Sequence, residues 1–187
     1  MDASGGESTG EIRVNRAPVL TLWAAVVAER LGHDPDAAIT LGRAVAGSSA
    51  RVKARAIGLE QDAHEGSRQE DTRETANAAE RRAAPARTVR LLGRDVPVAE
   101  VKGGLRALDH DHAASVQPAR AYVERAFGEH LPAVRRTMER LAASMPPDEL
   151  NRVGFRLYEH FRPEVPAAMG WGVKGVLGLA RIRDARI

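Results

Sequence analysis

The chain has 187 residues, a net charge of +3, no cysteine, and 25 Arg against only 3 Lys. That length suits one domain or two small ones, and the absence of cysteine excludes a disulfide framework, a thiolate nucleophile and a Cys-based zinc site. The apolar runs fall short of a membrane span, and the opening Met1–Glu11 is polar and acidic, unlike a secretory or transit leader, so a cytoplasmic protein is expected.

Charge is spread unevenly along the chain. Residues 1–11 carry three acids and no base, residues 12–58 seven bases and three acids, residues 59–88 five and seven, and residues 89–187 sixteen and twelve. Two mildly basic blocks joined by an acidic connector are compatible with a polyanionic partner without requiring one. Arg and Ala richness is also what a GC-rich bacterial genome produces without selection for binding.

Residues 1–13 read as a disordered tail, with almost nothing to bury. Next comes a stretch, Ala17 to Leu31, that is apolar nearly all round. Val19, Leu20, Leu22, Trp23, Val26, Val27 and Leu31 fill one arc, and Thr21, Ala24, Ala25 and Ala28 the other. Pro18 suits its first turn and Gly32 its end, and such a helix is buried on more than one side. Asp34-Pro-Asp36 then starts a second helix to about Ala46, with Asp34 as cap. Gly47-Ser-Ser49 reads as a turn, and a third helix follows from about Ser49 to Leu59.

Residues 14–59 therefore form a three-helix, helix-turn-helix-like block. Its third helix carries Arg51 and Arg55 on one flank and Lys53 on the other, with no Asn or Gln to read adenine. Arg51, Lys53 and Arg55, together with Arg43, are the candidate nucleic-acid-binding residues, contacting phosphates rather than bases.

Residues 60–87 lack any apolar side chain larger than Ala and read as a charged linker. Residues 88–187 are expected to hold a short β-hairpin plus a helical block. In Thr88–Val98 two short apolar runs flank Gly93-Arg94, which predicts the hairpin. A hairpin after three helices also suggests a winged helix with Arg90 and Arg94 on the wing, an idea the long linker weakens. Gly103-Gly104 interrupts a short helix through Leu108. Asp109-His-Asp-His112 combines metal-ligand residue types, but adjacent loop residues do not converge on one ion, so no metal and no cofactor is expected.

Pro118, Pro132 and Pro146-Pro147 each open a helix with 3.6-residue periodicity, whose Met and aromatic residues are core. Arg136 with Arg140, and Arg152 with Arg156, are like-charge pairs one turn apart on outer faces. In the tail, Trp171 is expected to dock into a groove, Val176–Leu179 to lie extended beside the hairpin, and Arg181–Arg183 to be a mobile basic end. The fold class expected is mainly α.

Asn15–Gly32 and Leu157-Tyr-Glu-His-Phe-Arg-Pro-Glu-Val-Pro166 resemble stretches of an uncharacterised bacterial protein family with a helix-turn-helix-like N-terminal block. The resemblance covers most of the chain outside the linker and implies no activity and no functional residues. No Ser–His–Asp set, phosphate loop or paired carboxylates in a recognisable context is visible. The expectation is a non-enzymatic DNA-binding protein, regulatory or nucleoid-associated. The alternative is a protein-interaction or homo-oligomerisation module using the Ala face of the first helix or the C-terminal helices.

Overall fold

The computed structural model describes residues 10–56, 87–165 and 173–187, with residues 53–56 described by their backbone alone. In chain order the elements are β1 (Glu11–Val14), α1 (Arg16–Arg30), α2 (Pro35–Ala56), β2 (Arg87–Leu91), β3 (Arg94–Val101), β4 (Gly104–Asp109), β5 (His112–Ala113), α3 (Val116–Phe127), a 3-10 turn (Gly128–His130), α4 (Leu131–Ala143), α5 (Pro147–Phe161), β6 (Gly175–Gly178) and α6 (Leu179–Asp184).

α1 is sealed as its pattern requires: every residue from Pro18 to Ala28 is buried. The Trp23 indole N–H donates to the Gly154 carbonyl at 2.8 Å, which satisfies the one polar atom of a ring that is 0% exposed. Its ring meets that of Phe161 in a T-shaped arrangement, at 5.4 Å between centroids and 89° between planes. The helix ends in a Schellman arrangement, with Gly32 at φ +100° donating to Glu29 O and His33 donating to Ala28 O. Two residues later Asp34 Oδ1 accepts the N–H groups of Asp36 and Ala37, both at 3.0 Å, and α2 begins.

α1 and α2 form a tight helical hairpin. A β-carbon at Gly42 would stand 2.3 Å from Thr21 O and 3.0 Å from Ala25 N, so only glycine permits this approach. The alanine face of α1, with Ala24, Ala25 and Ala28 each at most 1% exposed, lies inside the core. It is not a free docking surface.

The mainly α expectation is corrected: the described residues form a mixed α/β fold with two antiparallel sheets. The expected second and third helices are one continuous helix, α2, running straight through Gly47-Ser-Ser49. Gly and Ser lower helix propensity but do not obstruct a helix sterically, and no proline intervenes. There is thus no turn at 47–49 and no helix-turn-helix trio; residues 57–59 of the expected third helix lie outside the described residues.

The expected hairpin exists as part of a larger meander, ordered β2-β3-β4-β5. Its two-residue turn is Leu92-Gly93, one residue earlier than the expected Gly93-Arg94, and both residues have positive φ (49° and 76°). A leucine is costly there, and α5 holds it. Asn151 accepts from Leu92 N–H at 2.8 Å and donates to Arg90 O at 2.9 Å. The Leu92 side chain lies over Gly154, where a β-carbon would approach it to 2.5 Å.

The stretch through Leu108, expected as a short helix interrupted by Gly103-Gly104, is instead β4, which starts at Gly104 and pairs with β3 across a Lys102-Gly103 turn. Gly103 and Gly104 both have positive φ, which suits a reversal rather than a helix interior. Asp109–His112 is the next reversal, leading into β5.

The end of the expected N-terminal tail is also corrected, residues 1–9 of it lying outside the described residues. Ile12 and Val14 are buried on β1, which pairs antiparallel with β6 in the register Ile12↔Leu177 and Val14↔Gly175. β6 is extended, as expected of 176–179, but its partner is β1 rather than the hairpin. The basic end forms α6, anchored by Ile182 at 0% exposure and by an Arg181–Glu164 ion pair at 3.0 Å. Of the three helices expected to open on proline, α4 and α5 carry one at the first or second helical position, whereas α3 starts at Val116, two residues before Pro118. One hydrophobic core runs from Ile12 to Ala185, through α1, the meander and the C-terminal helices. The expected linker, apart from Arg87 at the start of β2, and Trp171 lie outside the described residues.

Candidate functional site

Two regions hold chemistry that the fold itself does not consume. The first is the C-terminal half of α2. From Gly42 to Ala56 it carries Arg43, Arg51, Lys53 and Arg55 and no acid. On the helical wheel Arg43, Arg51 and Arg55 share an arc of about 120°, with Lys53 outside it. The core stripe of this helix, Ala38, Leu41 and Val45, is fully buried. Val52, on the same stripe two turns further on, is 48% exposed, and its neighbours Ala50 and Arg51 are exposed too. The helix has run past the body that covers its first half.

Arg43 is exposed, and its guanidinium carbon stacks over the Tyr122 ring at 3.9 Å from the centroid, a cation–π contact. Among the described residues neither Arg43 nor Arg51 has a carboxylate partner. Lys53 and Arg55 are placed on the helix by its backbone. The fold therefore brings the four sequence-predicted residues onto one element, though not onto a recognition helix set against a turn. The wing arginines are engaged elsewhere: Arg90 pairs with Asp95 at 2.9 Å, and Arg94 lies 6.0 Å from the centre of the Phe155 ring.

The second region is a cleft of about 160 Å³ between α1, the start of α2, α3 and α4. Leu22, Ala25, Ile39, Val123 and Leu131 make its apolar floor, and Glu29, Arg120, Glu124 and Arg135 its polar rim. Arg135 reaches Glu29 through Nη2 and Glu139 through Nε at 2.8 Å. Burial works against the charge on Arg135, but these two carboxylates outweigh it and hold its pKa above the usual guanidinium value. Arg120 pairs with Asp36. Asp36 also takes Arg106 Nη2 at 3.4 Å, and Arg106 Nη1 lies 3.9 Å from Asp34.

Arg106 is itself buried, and bonds to the carbonyls of Leu105 and Gly103 complete its coordination. Beside it Thr40 Oγ1 accepts from Ala107 N–H at 3.1 Å and donates to Ala37 O, tying the edge of β4 to α2. The sequence announces this cleft only faintly, because its rim comes from three separated helices. One signal was present: Glu29 is the only acid on α1.

Among the described residues no group of three or more His, Asp or Glu side chains is placed to hold a metal ion, and no helix is long and apolar enough to cross a membrane. Compared with known protein families, curated proteins and solved structures, the chain matches none.

Proposed function

We propose that the chain is a non-enzymatic DNA-contacting protein of the cytoplasm, whose α2 presents cations to phosphates along its uncovered half. The observation that supports this reading is the exposure of Ala50, Arg51 and Val52 at the end of a helix whose last fifteen residues hold four cations and no acid. A helix is about 10 Å wide and fits a major groove, and guanidinium groups on its flanks reach the phosphates at the groove edges. With no Asn or Gln on this part of the helix, contacts fall on the backbone and discriminate little between sequences.

Such binding releases counterions, so affinity falls steeply with salt. The test is a titration of duplex DNA at two salt concentrations. Binding is expected at about 50 mM salt, with a log–log salt slope reduced by about 1 for each of Arg51→Gln and Arg55→Gln. Absence of binding at about 50 mM salt, or an unchanged slope in both variants, overturns the reading.

Self-association is a second reading, favoured by Val52. Its position continues the buried stripe of Leu41 and Val45, and an apolar residue there is suited to a copy of the same helix. Sedimentation of the wild type and of Val52→Glu separates the two readings. A dimer lost in the variant supports association, and a concentration-independent monomer overturns it.

A further inference from the structure

The cleft between α1, the start of α2, α3 and α4 has an apolar floor and a charged rim, and the pairing of those charges favours one class of ligand. Each guanidinium around it is already answered: Arg135 by Glu29 and Glu139, Arg120 by Asp36, and Arg106 by Asp36 and Asp34. Glu124 stands on the rim, exposed and without an ion-pair partner among the described residues. Of the four charged residues that line the cleft, Glu29, Arg120, Glu124 and Arg135, only Glu124 is left without an ion pair among the described residues. An anion entering here would have to displace a carboxylate already bonded to arginine. A cation needs no such exchange, and gains Glu124.

Below the rim, the floor of Leu22, Ala25, Ile39, Val123 and Leu131 offers no hydrogen-bonding side chain. Its volume of about 160 Å³ is close to the roughly 150 Å³ of a cavity that takes up benzene. We propose that this cleft binds a small amphipathic amine, with an aromatic or branched aliphatic body against the floor and its ammonium group at Glu124. The inference is independent of the DNA reading.

The test is amide chemical-shift titration of the full chain with three probes of one shape: phenethylamine, 2-phenylethanol and phenylacetate. Phenethylamine is expected to shift the amides of Ala25, Ile39, Val123 and Leu131. The neutral alcohol should bind about threefold or more weakly, the scale of a partly exposed ion pair, and phenylacetate weakest of all. Glu124→Gln, an exposed substitution that leaves the core untouched, should bring the amine down to the level of the alcohol, whereas Glu159→Gln on α5 should not. The proposal is overturned if phenylacetate binds as tightly as the amine, if no cleft amide responds to the amine, or if Glu124→Gln leaves its affinity unchanged.

Discussion

The two halves of α2 differ more from each other than either differs from a neighbouring helix. From Pro35 to Ala46 the helix is clamped. Asp34 caps it, Arg106 and Arg120 hold its first turn through Asp36, Thr40 ties it to β4, and Gly42 lies against the backbone of α1. By Ala50–Val52 the chain is exposed on successive positions, yet it remains helical. The first half is a helix because of what surrounds it. The second is helical by extension: propagating an existing helix costs far less than nucleating one, and Ala, Arg and Lys propagate well. Exposed surface has been produced here by letting a well-anchored helix outrun its core.

The comparison is broken most severely at Gly42. In Gly42→Ala the new methyl meets backbone atoms of α1 that cannot yield, and a loss of about 3 kcal/mol is expected in chemical denaturation. Next comes Thr40→Val, which leaves the buried Ala107 N–H without an acceptor and should cost about 1–3 kcal/mol. An unchanged midpoint in that variant would mean that β4 does not depend on α2.

Alkaline pH probes the body alone. Burial pushes the Tyr158 hydroxyl from its ordinary 10.0 up to about 12, the charges of Arg16 and Arg162 opposing this only in part. The folded state thus favours the neutral phenol, which donates to Arg16 O at 3.2 Å. This stabilisation is complete below pH 10.0 and is lost as pH rises through about 12. Melting temperature should fall across that window in the wild type and more gently in Tyr158→Phe.

The smallest effects belong to the uncovered half. A β-carbon at Gly47 would meet nothing within 4 Å, so Gly47→Ala should stabilise by about 0.5–1 kcal/mol through helix propensity, opposite in sign to the same change at Gly42. Arg51→Gln should move stability by no more than about 0.5 kcal/mol while reducing DNA affinity. A large loss of stability in that variant would show that Arg51 is bound into the fold after all.

Legibility in the sequence followed the range of the interaction. Strong local signals match the fold: the apolar wheel around Trp23, the Asp34 cap, the hairpin around Gly93, and the prolines in the first turns of α4 and α5. Weak local signals misled. Gly47-Ser-Ser49 penalises a helix without ending one, and Gly103-Gly104, whose glycines suggest a break in a helix, instead reverses a strand. The candidate cations on α2 were legible because they lie on one element. The cleft was not, since Glu29, Glu124 and Arg135 lie on three helices, and their meeting leaves no periodic trace.

By itself the sequence determined which segments had to be hidden and which cations had no nearby acid, because periodicity and charge are properties of neighbours along the chain. Only the tertiary structure decided that Ile12 and Val14 have a strand to join 160 residues away, that α2 outruns its cover, and that a cleft opens beneath Glu124. Each of these depends on surfaces brought together by packing, and the burial of apolar area is indifferent to where along the chain that area comes from.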